Sequence, residues 1–132
     1  MRIVLDTNVL VAGLLNPNGA PASILNLIVR GSGLLLYDNR ILQEYMEVLR
    51  RERFGFDQES VDALIAFIGE EGEYVVAEPV MESFNDKDDR AFYEVAVSGK
   101  ADYLVTGNKT HFPNVELIRS PRELIDEYIQ GL

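Results

Sequence analysis

The stretch Arg2-Ile3-Val4-Leu5-Asp6-Thr7-Asn8-Val9-Leu10 decides how the rest of the chain is read. Ile3-Val4-Leu5 is an unbroken apolar run that stops at a carboxylate. Such a run, without polar alternation, reads as a strand buried on both faces, the pattern of a central strand in a parallel sheet. The carboxyl end of that strand opens onto the crevice where open α/β sheets bind ligands. Asp6 falls at that mouth, with Thr7 and Asn8 beside it. A buried carboxylate is costly unless it is paired, hydrogen-bonded or on a metal. The structural alternative is that Asp6 only caps the helix that follows, since Asp favours helix starts.

Working outward, Asn16-Pro17-Asn18-Gly19-Ala20-Pro21 is dense in turn residues and reads as a loop. A helix is expected from about 22 to 30, ended by Gly31-Ser32-Gly33. Leu34-Leu35-Leu36-Tyr37 is a second short buried strand, again followed by an acid, Asp38. This β-α-β unit predicts a parallel pairing with a right-handed crossover. Helices are expected over about 40–53 and 58–69, a third strand over 74–76 and irregular chain over 79–84. Another helix should run over about 88–98, followed by strands over 103–106 and 116–118. Ser120-Pro121 opens a last helix, and Ser120 with Glu123 matches a capping box. The whole pattern predicts one domain, residues 1–132, with helices on both faces of a mostly parallel sheet of about five strands.

Acids punctuate this frame. Glu44 lies on the edge of the apolar stripe of the 40–53 helix, between Ile41 and Val48. Asp86, Asp88 and Asp89 open the 88–98 helix. Asp86 is its natural N-cap, and Asp89 shares the inward face of Phe92 and Ala96. The first and fourth strands can lie side by side in this architecture, which brings Asp6 against Thr106-Gly107-Asn108. Asp6, Glu44 and Asp89, with Asp86 nearby, then crowd several negative charges into one crevice. Like charges at about 4 Å are costly where the dielectric is low. Divalent cations with oxygen ligands relieve that, and Mg²⁺ or Mn²⁺ suits few carboxylates plus waters. Zinc suits the set poorly, because His111 is the only histidine and there is no cysteine. Such metals activate water for phosphodiester hydrolysis.

The chain has 132 residues, 47% of them apolar, and a net charge of −10. Residues 57–89 hold 11 acids and one base, Lys87, and account for all of that excess. A globally acidic protein is a poor general binder of nucleic acid, so any RNA contact must be local. Arg50, Arg51 and Arg53 are the one tight basic cluster; the plainer reading is a solvated helix end. No apolar run reaches membrane-span length and no signal-peptide pattern opens the chain, which leads to the expectation of a cytoplasmic protein with no membrane partner. There is no Walker-type phosphate loop and no nucleophile with an adjacent base.

Four motifs in order resemble the PIN-domain family, of the kind found as VapC-type toxins of prokaryotic toxin–antitoxin pairs. They are Leu5-Asp6-Thr7-Asn8-Val9-Leu10, Glu44 within residues 42–49, Asp86-Lys87-Asp88-Asp89-Arg90-Ala91-Phe92, and Ala101 to Asn108. The resemblance implies a three-layer α/β/α fold and a Mg²⁺- or Mn²⁺-dependent endoribonuclease. It implies Asp6, Glu44 and Asp89 as catalytic and metal-binding acids, with Asp86 as a further ligand. Thr7, Asn8 and Thr106 would hold the carboxylates and a metal-bound water in place. Asn108 stands where many members carry an aspartate, which lowers the charge of the site. Phe112 matches the family's aromatic, and His111 is read as structural. A homodimer and a cognate antitoxin are implied, with Tyr45, Phe54 and Phe56 as a groove for its segment and Arg50, Arg51 and Arg53 facing RNA phosphates or antitoxin acids.

Two other readings compete. One is a PIN-like module that binds RNA or protein without cleaving, favoured by Asn108 and the acidic surface. The other is a phosphoacceptor receiver domain. That fold wants paired acids after its first strand, an aspartate after its third and a lysine after its fifth. Here Asp6-Thr7, Val76-Ala77-Glu78 and Arg119-Ser120 occupy those places.

Overall fold

The computed structural model describes residues 1–131. Five parallel strands form one sheet in the order β3-β2-β1-β4-β5. They are β1 (Arg2–Leu5), β2 (Leu34–Tyr37), β3 (Glu73–Tyr74), β4 (Tyr103–Val105) and β5 (Ile118–Arg119). Six helices flank it: α1 (Thr7–Leu15), α2 (Ala20–Val29), α3 (Asn39–Leu49), α4 (Gln58–Glu71), α5 (Lys87–Ser98) and α6 (Pro121–Gln130). The result is the three-layer α/β/α arrangement expected from the apolar runs.

β1 is central because its side chains are apolar on both faces. Ile3, Val4 and Leu5 are all fully buried, and each such side chain stabilises the fold by about 1.5–3 kcal/mol. β1 pairs with β2 on one side and with β4 on the other, Leu5 opposite Val105. Strand order reverses direction between β1 and β4. In doubly wound sheets the crevice outside the strand ends at such a switch point is the ligand site. Asp6 and Thr106 are the residues that immediately follow these two strands.

The element edges depart from the sequence reading in physically sensible ways. α1 starts directly after Asp6, so strand and helix are joined by one residue. It packs tightly on α2: a Cβ on Gly13 would lie 2.6 Å from Leu25 Cδ1. The helix expected over 40–53 ends at Leu49; a separate 3-10 turn, Glu52–Phe54, follows and stops at Gly55 with φ of 63°. β3 is shorter and earlier than 74–76: Val75 still donates its N–H to the Tyr37 carbonyl, and Val76 beyond it is exposed to solvent. The capping box at Ser120 and Glu123 is formed in full.

Candidate active site

Asp6 sits between β1 and α1 with extended φ/ψ, at the helix-capping position, yet its side chain makes no capping hydrogen bond. The carboxylate is turned instead towards β4. Thr106 Oγ1 donates to Asp6 Oδ2 at 2.8 Å, and Thr106 Oγ1 in turn accepts from the Asn108 N–H at 3.0 Å. Asp6 is buried, at 7% exposure, and has no cationic partner among the described residues. Burial pushes its pKa up, while the Thr106 hydroxyl, the Asn8 and Thr7 amides and His111 pull against that rise. Beside it, Thr7 Oγ1 is buried with no hydrogen-bond partner, alone in this among the described residues. An unpartnered buried hydroxyl is unfavourable by about 1–3 kcal/mol.

Tyr45 anchors the strand end from below. It is fully buried, donates from its hydroxyl to the Leu5 carbonyl at 2.6 Å and stacks on Phe92 with ring centroids 6.3 Å apart. This removes it from any surface groove, contrary to the expectation that it lines one with Phe54 and Phe56. Those two rings stack on each other, centroids 5.6 Å apart, and are half-buried. Tyr45 is instead the residue that ties Glu44, its chain neighbour, to the Asp6 strand end.

Asp86 caps α5, accepting from the Asp88 N–H at 2.8 Å, so it serves the helix as expected from its position. Asp89, one turn on, is largely buried. Burial, with Asp6 and Asp86 adding to it, pushes its carboxyl up to about 6. His111 Nδ1 lies 3.5 Å from Asp89 Oδ2 and its ring is exposed, which places it beside the acids. Glu44 rises to about 7 through burial and then the charges of Asp88 and Glu47, with Arg51 pulling the other way.

The acids therefore form one electrostatic group around the N-terminus of α5, but two clefts divide it. Asp86 and Asp89 line one, of about 500 Å³. Glu44 and Asp88 line the other, of about 520 Å³. As placed, the side chains do not close on a common point: among the described residues no three His, Asp or Glu side chains are gathered tightly enough to hold an ion unaided. Asn8 and Asn108 are both exposed at the rim. The buried Asp6 without a cationic partner and the orphaned Thr7 hydroxyl fit an oxygen-liganded divalent cation, with Asp89 the nearest raised acid to join them.

The arginine cluster disperses. Arg50 pairs with Asp62 at 2.7 Å, Arg53 lies over the Phe54 ring at 4.8 Å, and only Arg51 turns to the acids, 3.8 Å from Glu47. A network of two buried acids bridged by an exposed arginine escaped the sequence reading. Arg40 bridges Asp38 and Glu94 at 2.8 and 2.7 Å, and Glu94 also accepts from the Val80 N–H at 3.1 Å. Burial alone would raise Glu94, but these bonds bring it below its usual value. The network straps the 79–84 segment and α3 to α5. Asp38 after a strand was a visible signal; the tie to Glu94 spans 54 residues and had none.

Residues 2–110 match the PIN domain. The chain belongs to the PIN-domain family. PIN domains are generally nucleases and typically use divalent metals. The chain is also 30% identical over 147 residues to an uncharacterized protein of Methanocaldococcus jannaschii, the match covering 97% of this chain and 92% of the relative. No helix among the described residues is long and apolar enough to cross a membrane.

Proposed function

We propose that the chain, as a single domain over residues 1–132, is a Mg²⁺- or Mn²⁺-dependent endoribonuclease. The observation that carries this is Asp6, a carboxylate buried at the β1/β4 switch point without a cation, beside an unpartnered Thr7 hydroxyl. A metal would be held by Asp6 and Asp89, with Asp86 and Glu44 contributing, and would supply an activated water at neutral pH. Thr106 orients Asp6 through its 2.8 Å bond, and Asn108 braces Thr106. Thr7 and Asn8, which follow Asp6, would stand beside the waters of such an ion. Arg51 is the member of the arginine cluster best placed to meet RNA phosphate, because it alone lines the Glu44 cleft.

In this reading the protein is a cytoplasmic, homodimeric toxin restrained by a cognate antitoxin. The motif resemblance supports that role, and co-purification of an antitoxin with the native chain tests it. A second reading, a PIN module that binds RNA but cleaves weakly, draws on the divided acid group and on Asn108 at the rim.

The decisive assay follows cleavage of an end-labelled single-stranded RNA. Mn²⁺ should stimulate it, EDTA should abolish it, and Asp6→Asn or Asp89→Asn should each lower it about 100-fold or more. Undiminished cleavage in both variants would mark a contaminating nuclease and defeat the proposal.

A further inference from the structure

Two clefts of opposite character flank the N-terminus of α5. The cleft that includes Asp89 is lined by Glu82, Ser83, Phe84, Asn85 and Asp86, and by the 110–113 turn with His111 and Phe112. Its lining contains no lysine or arginine. At about 500 Å³ it falls within the range of roughly 300–1,000 Å³ common for small-ligand sites. The other cleft gathers Arg40, Arg51, Lys87 and Arg90 among its acids. Without a metal, a phosphate is disfavoured in the first and favoured in the second, where four cations stand among three acids. A neutral aromatic group is suited to the first.

We infer that the Asp89 cleft seats a nucleobase, guanine before the others, of a single-stranded RNA crossing the start of α5. The inference rests on the nuclease reading above and assigns its specificity pocket. Phe84 supplies the stacking platform. The Arg90 guanidinium covers one face of its ring, 5.3 Å from the centre, and Tyr93 at 5.5 Å and Phe112 at 6.2 Å between centroids hold it, so a base would meet Phe84 on the side that lines the cleft. Unstacked RNA bases are taken up on fixed aromatics of this kind. Glu82 supplies the edge recognition. Tyr93 donates to its Oε2 at 3.0 Å, which fixes the carboxylate and leaves Oε1 with no hydrogen bond among the described residues. A carboxylate only accepts, so the base edge that meets it must donate. Guanine offers adjacent donors at N1 and N2. Uracil flanks its one N–H with two carbonyls and is disfavoured. The exposed Asn85 amide is available to whichever groups remain.

Fluorescence anisotropy in EDTA, with the full chain, tests this without cleavage. Two labelled eight-nucleotide RNAs are compared, one all uridine and one with a single central guanosine. The guanosine RNA should bind about tenfold tighter. Glu82→Gln and Phe84→Ala should each remove most of that difference, and Phe84→Tyr should keep it. Phe84 is half-buried, so the exposed Glu82 provides the variant least able to disturb folding. Arg51→Ala with Lys87→Ala should weaken both RNAs alike. Equal affinities in the wild type, or a preference that survives both Glu82→Gln and Phe84→Ala, would overturn the pocket. Metal-dependent cleavage without base preference defeats the pocket and leaves the nuclease. Guanine preference without cleavage by any metal does the reverse.

Discussion

Thr106 Oγ1 donates a 2.8 Å hydrogen bond to Asp6 Oδ2, joining the ends of two adjacent parallel strands across 100 residues of chain. The bond ties the carboxylate to the end of β4 and lowers its pKa against the effect of burial. Thr106→Val keeps the shape and removes the donor. The expected outcome is a destabilisation of about 1 kcal/mol and a 10–100-fold loss of Mn²⁺ affinity. Titration calorimetry and thermal melts check both, and unchanged affinity would show that Asp6 needs no such positioning.

Tyr45→Phe removes one hydroxyl and leaves the buried Leu5 carbonyl without its 2.6 Å donor. The expected effect on stability is a loss of about 1–3 kcal/mol. Urea unfolding with an unchanged m-value measures it.

Glu44 and Asp89 make stability depend on pH in a definite direction. Their carboxyls rise from 4.5 to about 7 and from 3.8 to about 6 in the folded chain. The folded state therefore binds these protons more tightly than the unfolded state. Stability is highest where both are protonated and falls as pH rises through the interval between the unfolded and folded values. Between pH 5 and 8 the metal-free protein should lose about 1 kcal/mol after allowance for solvent screening, or roughly 3–6 °C in Tm. Glu44→Gln should flatten that slope. Mn²⁺ should raise Tm more at pH 8 than at pH 5. Calorimetric scans at the two pH values, with and without metal, decide it.

The two strand ends are legible in the sequence because apolar runs as short as Ile3–Leu5 and Tyr103–Val105 each stop abruptly at polar residues. The capping box at Ser120 is legible because its two partners are three residues apart. What the linear chain does not carry is which side chains meet across it. Tyr45 looks like any aromatic of an apolar stripe until β1 is seen beneath it. Glu94 looks like a solvated helix acid until Arg40 arrives from α3. The division of the acids between two clefts depends on how α5 projects between them, and spacing along one helix does not encode that.

Asn108 offers a test of charge. It is exposed at the rim, and its backbone N–H already supports Thr106. Asn108→Asp adds a carboxylate without disturbing that bond. Divalent affinity depends on the number of charged ligands, so Mn²⁺ binding should tighten on the order of tenfold, with a lower Tm in EDTA at pH 8. Unchanged affinity would place residue 108 outside the metal's surroundings.

Crystals soaked in Mn²⁺ and measured at the manganese edge address most directly whether the acids around α5 serve one ion. The expected result is an anomalous peak with Asp6 and Asp89 oxygens at about 2.2 Å, and Glu44 turned towards it through a water. A saturating soak that leaves no peak beside Asp6, with Glu44 and Asp89 still facing separate clefts, would contradict a metal-dependent nuclease.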